Sequence, residues 1–215
     1  DDLVALIRYT VDLRGEGRMP DSAALDTRLA RMMRGWAPAV EAALAESDSA
    51  RATRLALRWA NCFPQGYRTV NPADEAARDI LSIAPLETPE QRAVRIYRDG
   101  RGEARLKLYR LGGAIALSDA VPVLENFGFR VAAEVPTFLT DPSLGSIHDF
   151  ILTVPAGLDA GALLERAPLI EGALADVLNG AAEDDPFNRL IPAAGLAPRS
   201  ANWLRAIYRY LRQTG

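Results

Sequence analysis

With a single cysteine, Cys62, the chain cannot close an internal disulfide, and that suits a reducing, cytoplasmic setting. A single histidine, His148, excludes a multi-histidine metal site and leaves little from which to build a histidine-paired nucleophile. Lysine is nearly missing too: Lys107 stands alone, and arginine supplies every other cationic side chain, a bias that nothing in folding demands. We find no apolar run long enough to span a bilayer and no secretory leader, so no membrane partner is expected. A formal net charge of −3 offers no general basic field, which argues against nucleic acid as a partner. What is present is ordinary globular material, 49% hydrophobic and 25% charged, enough for a packed core in 215 residues.

Three stretches follow from periodicity. Residues 1–84 read as mainly helical with one strand near the start, IRYTVDLR at 7–14, whose apolar residues alternate. A long helix is expected over 21–46, capped by Asp21 or Ser22 and kinked or split at Pro38. Further helices are expected over 49–62 and after Pro72. The proline-rich, charged segment 84–92 marks a boundary. Beyond it the period changes to two. Strands at 93–97 and 104–109 flank Asp99-Gly100-Arg101-Gly102, a hairpin signal.

LSDAVPVLENFGFRV, residues 117–131, then reads as a helix run straight into a strand. Ser118 or Asp119 would cap it, Ala120, Val121, Leu124 and Phe127 would be buried, and Gly128 would end it. The strand that follows, 129–139, contains Pro136 and should lie at a sheet edge. Another strand at 147–154 and a helix at 159–178 complete the unit. A right-handed crossover makes the strands at 104 and 129 parallel, with room between them for the strand at 147. The expected fold class is therefore α+β: a ferredoxin-like, four-stranded, mostly antiparallel sheet over residues 90–158, with helices on one face. N-terminal and C-terminal helical segments, 1–84 and 159–215, flank it. In the tail, Asp185-Pro186 and Pro198 open helices, and the second carries an apolar stripe at Trp203, Ile207, Tyr210 and Leu211 suited to packing on a neighbour.

Few residues carry chemistry. His148 is read as a structural strand residue, and Glu183-Asp184-Asp185 as helix capping rather than a cation site, so no metal is expected. Gly15-Glu16-Gly17-Arg18-Met19-Pro20 resembles a dinucleotide fingerprint only superficially. Pro20 replaces the third glycine, and Asp21 brings negative charge where a pyrophosphate would sit. The better candidate is Leu111-Gly112-Gly113-Ala114. Two glycines before a helix start let a ligand approach backbone N–H groups, and a helix start favours a carboxylate, so Gly112, Gly113 and Ala114 are the expected ligand-binding positions. A plain tight turn explains them equally well.

One resemblance runs along the chain from about residue 25. Tyr109-Arg110-Leu111-Gly112, Leu117-Ser118-Asp119, Pro122, Leu124-Glu125-Asn126, Gly128-Phe129 and Val131 resemble the ACT-type domain of the large bacterial NAD-specific glutamate dehydrogenases. Phe63, Tyr67, Ala77-Arg78-Asp79-Ile80 and His148-Asp149-Phe150 are similar to it as well. Glu183-Asp184-Asp185-Pro186-Phe187-Asn188-Arg189-Leu190, Ala194-Gly195-Leu196, Arg205-Ala206 and the run from Tyr208 to Gln213 resemble the helical segment after it. Pro186 stands where that family usually has glycine, and Pro198 where another residue is common; both suit helix starts.

The resemblance implies a parent enzyme that oxidises glutamate to 2-oxoglutarate and ammonia with NAD, on a dehydrogenase domain C-terminal to this region. This segment itself is then expected to be non-catalytic and to hold no cofactor. Its expected partners are other domains and subunits of a homo-oligomer. Two roles stay open: a scaffold, which we prefer, and an amino-acid sensor at the Gly112 turn that regulates the distant active site.

Overall fold

A computed structural model describes residues 21–23, 26, 35–154, 158 and 160–214. The chain divides into two units after Gly35. In the first, Asp21 accepts a hydrogen bond from the Ala23 amide at 3.0 Å, as a capping residue does. The expected strand at 7–14 and the glycine pair at 15 and 17 lie outside the described residues.

The second unit begins with a helical layer. Helix α1 spans Trp36–Asp48, α2 Ala52–Trp59, α3 Gln65–Val70 and α4 Ala73–Ile83. Pro38 lies in the first turn of α1, where its missing N–H has no intrahelical partner to lose. Pro72 immediately precedes α4, as expected, whereas the short α3 went unread because six residues carry too little periodicity.

The sheet follows. Strand β1 is Arg92–Arg98, β2 Ala104–Arg110, β3 Arg130–Phe138 and β4 Ser146–Thr153, with helix α5, Leu117–Asn126, between β2 and β3. Their order is β1-β2-β4-β3, and each neighbouring pair is antiparallel. Strand β4 thus fills the space between the parallel β2 and β3, and Pro136 sits on the edge strand. Ile96, Leu106, Leu108, Phe150 and Leu152 face a core completed by Leu124 of α5 and by Phe127 just after it. Ile170 and Leu174 join it from α7, Ala167–Leu178.

Helix α5 departs from expectation at its start. Ala116 occupies the cap position without a side-chain bond, and Ser118 and Asp119 lie inside the first turn. Pro122 is therefore interior and withholds one backbone donor, on the exposed side where water can reach the orphaned carbonyl. The register places Val123 rather than Val121 in the core. At the other end Gly128 has φ 87°, its amide bonds to the Glu125 carbonyl at 2.8 Å, and Phe129 bonds back to Leu124 at 3.0 Å. This pair of bonds is the Schellman ending, which turns the chain from helix into β3.

The expected helix over 159–178 is two helices, α6 at Ala160–Glu165 and α7, because Pro168 at the start of α7 cannot donate into a continuous helix. Asp185 caps a short 3-10 turn at Pro186–Arg189 through the Phe187 amide, 3.0 Å away. Helix α8, Leu190–Ala194, and α9, Pro198–Thr214, follow.

The sheet's second face is not open. Tyr109 and Ile147, together with Leu139 and Leu144 beyond β3, join Val40, Leu44, Trp59, Phe63 and Ile80 in a second core under the helical layer. By the alternation along β2, Lys107 points away from the first core. The helical layer covers it, leaving 1% exposed.

Candidate functional site

The Gly112 turn comes first because the sequence singles it out. Gly112 has φ 73°, and Gly113 and Ala114 are exposed. The side chains of Arg110, Ser146 and His148 bond backbone groups in or beside the turn. Arg110 donates to the carbonyls of Pro89 and Ala114, and the Ser146 hydroxyl donates to the Gly113 carbonyl at 2.9 Å. The Ile115 amide donates to Nε2 of His148 at 3.1 Å. That bond assigns Nε2 as an acceptor, so Nδ1 carries the proton and donates to Glu134, 2.6 Å away.

Glu134, His148 and Ser146 thus have the order of an acid-base-nucleophile relay, with Ser146 Oγ 3.1 Å from Nε2. They cannot work as one. The lone pair that would take the serine proton already accepts the Ile115 amide, and both His148 and Ser146 are buried. His148 is a brace for the turn.

A denser arrangement, which the sequence reading missed, lies where the helical layer meets β1 and β2. Alternation along the hairpin puts Arg95, Lys107 and Tyr109 on one face, and the helical period of α4 puts Glu75 and Asp79 on one side. The Lys107 ammonium donates to Glu75 at 2.6 Å and to the two Asp79 oxygens at 2.9 and 2.7 Å, so its three protons are all used. Asp79 has no exposure and also accepts from Tyr67 at 2.6 Å, Tyr109 at 2.8 Å and Arg95 at 3.0 Å. Lys107 and Arg95 balance Glu75 and Asp79, and Arg78 bonds the outer Glu75 oxygen at 3.1 Å.

Burial raises the Tyr67 and Tyr109 hydroxyls, and the Asp79 carboxylate beside them raises them further, so both stay protonated donors. Burial alone would push the Glu75 carboxyl up; Lys107 and Arg95 outweigh it and hold the group down at about 2. Next to the cluster, Tyr97 donates to Asp149 at 2.8 Å while Arg105 grips Asp149 through two bonds, 3.1 and 2.8 Å. The sequence signal for the cluster is the chain's single lysine, set at an alternating position of β2.

Three parts of the glutamate dehydrogenase family match this chain. Helical motif 2 matches residues 42–86, the ACT3 domain residues 91–164 and helical motif 3 residues 182–215, together well over half of the chain. The NAD-specific glutamate dehydrogenase of Halomonas elongata is 33% identical over 221 residues, covering 99% of this chain and 14% of that protein. The enzyme of the same name from Pseudomonas aeruginosa is 30% identical, with the same coverage of each. The one from Mycobacterium tuberculosis is 31% identical over 194 residues, 87% of this chain and 12% of that protein. The chain thus spans about a seventh of the length of the first two relatives. The buried cluster joins the helical-motif match to the ACT3 match, with Tyr67, Glu75 and Asp79 on one side and Arg95, Lys107 and Tyr109 on the other. The chain belongs to the glutamate dehydrogenase family, as the stretch that runs from helical motif 2 through the ACT3 domain to helical motif 3.

Proposed function

We propose that this chain is a non-catalytic scaffold within a NAD-dependent glutamate dehydrogenase that converts glutamate to 2-oxoglutarate and ammonia, and that α9 is its contact with another subunit. The observation that carries this reading is the outer surface of α9. Trp203, Leu204, Ile207, Tyr208, Tyr210 and Leu211 are between 42% and 65% exposed, while the helix buries only Ala201 and Arg205. A contiguous apolar face of that size costs free energy in water and is characteristic of an interface. Arg205 keeps the helix presented rigidly: it is 3% exposed and bonds Asp185 at 2.5 and 2.9 Å and Asn188 at 3.0 Å. NAD binding and catalysis belong to other parts of the parent protein in this reading, and its setting is cytoplasmic.

The alternative, an amino acid held at Gly112, Gly113 and Ala114, has less support because Arg110, Ser146 and His148 are already committed to the turn itself. The two readings separate in the parent enzyme. Trp203→Glu with Ile207→Asp should lower the oligomer mass measured by light scattering, since both side chains are exposed and their loss spares the cores. A Cβ at Gly113 would meet nothing within 4 Å, so Gly113→Val obstructs the turn cheaply; it should leave both mass and any response to amino acids unchanged. Unchanged mass in the first variant defeats the scaffold, and loss of an amino-acid response in the second supports the sensor.

A further inference from the structure

We propose that the groove between α3 and the outer face of the sheet binds a small oxyanion carried on an apolar body, independently of the scaffold role. The groove has a volume of about 780 Å³, within the usual range of small-molecule sites. One wall is α3, with Gly66, Tyr67 and Val70; the other is β3, with Val135 and Thr137; Tyr97, Arg105, Lys107 and Asp149 form the floor.

The chemistry of the ligand follows from what is spent and what is left over. Asp149 accepts from Arg105 and Tyr97 through both of its oxygens, and Asp99 accepts the amides of Arg101 and Glu103 through Oδ1, each at 2.9 Å. The Lys107 protons are used as well. What remains are donors on guanidinium groups. Arg105 Nη1 has no nearer partner than Asp99 at 3.9 Å, and Arg101, exposed at the mouth, has no hydrogen bond or ion pair through its side chain among the described residues. An acceptor with full negative charge matches that surplus. The walls specify the rest of the molecule: Val70 is 76% exposed and Val135 51% exposed, around a space that an apolar group would fill. Such a ligand would touch the helical layer and the sheet at once, and so would hold them together.

The test is calorimetric titration of the full 215-residue chain with phenylpropionate, phenyl phosphate and neutral phenylpropionamide. At least one of the two anions should bind saturably and at least about tenfold more tightly than the amide. Whichever anion binds identifies its head group. In Arg101→Gln, binding of that anion should weaken about tenfold. Gly66→Leu should abolish it with an unchanged melting temperature, because a Cβ at Gly66 meets nothing within 4 Å and the longer side chain enters the groove. The proposal is overturned if neither anion binds more tightly than about 10 mM, if the amide binds as well as the anions, or if Gly66→Leu binds like the parent chain.

Discussion

Lys107 illustrates how one side chain can join two layers without performing chemistry. Its ammonium sits between Glu75 and Asp79, and Arg95 supplies the balancing charge. Removing the ammonium strands negative charge in a place water cannot reach. Lys107→Met should therefore cost about 3 to 5 kcal/mol in urea unfolding, far more than the loss of an exposed pair. The same cluster sets an acid limit. Glu75 titrates near 4.5 when unfolded and near 2 when folded, so its contribution is complete above pH 4.5 and is lost as pH falls through about 2. That contribution is at most about 3 kcal/mol. Stability measured between these pH values should fall less steeply in Glu75→Gln than in the parent chain; parallel slopes would show that Glu75 is not the acid-sensitive group.

At the level of elements, the junctions carry as much information as the helices and strands. Leu124 of α5 has no exposure and contributes to the first core, so Leu124→Ala should cost about 2 to 5 kcal/mol by removing methylenes and leaving a cavity. A melt that hardly moves would contradict the packing of α5 on the sheet. The entry to β4 is stricter. Gly145 has φ 108°, and a Cβ there would land on the carbonyl oxygen of Arg110, so no rotamer adjustment relieves it. Gly145→Ala should cost more than the roughly 1 kcal/mol of an ordinary glycine replacement and should separate the Arg110 end of β2 from Ser146. Amide exchange at Arg110 and Ser146 would report that opening.

For the whole molecule, the helical layer and the sheet share an apolar core beside the buried Lys107 cluster. Tyr109, Ile147, Leu139 and Leu144 are packed with α1, α2 and α4, and the Thr140 amide bonds the Cys62 carbonyl at 2.8 Å. Residues 36–154 should accordingly unfold in one transition. Far-ultraviolet dichroism and the fluorescence of the buried Trp59 should change at the same denaturant concentration, and separated midpoints would mean that the layers are independent.

Local chemistry was enough for much of this architecture. The stretch Asp99-Gly100-Arg101-Gly102 specified the hairpin, although the positive φ of the turn falls on Gly102 (85°) and not on Gly100; Gly128 specified the end of α5 and Pro136 the edge position of β3, because each acts through its own backbone and immediate neighbours. Period-two and helical patterns then left one compact strand order, the one observed. The exposed stripe of α9 was also visible as spacing, although its lack of a cover among the described residues was not. Tertiary structure decided the rest. Alternation can say that Lys107 points away from the first core but not that α4, some thirty residues earlier, lies over it with two carboxylates. The groove draws its lining from residues 64–71, 97–107 and 135–149, which only the closing of the helical layer onto the sheet brings together. Sequence patterns record each segment's own preference for burial, whereas a site made of distant side chains exists only once the chain has chosen which buried faces to press against each other.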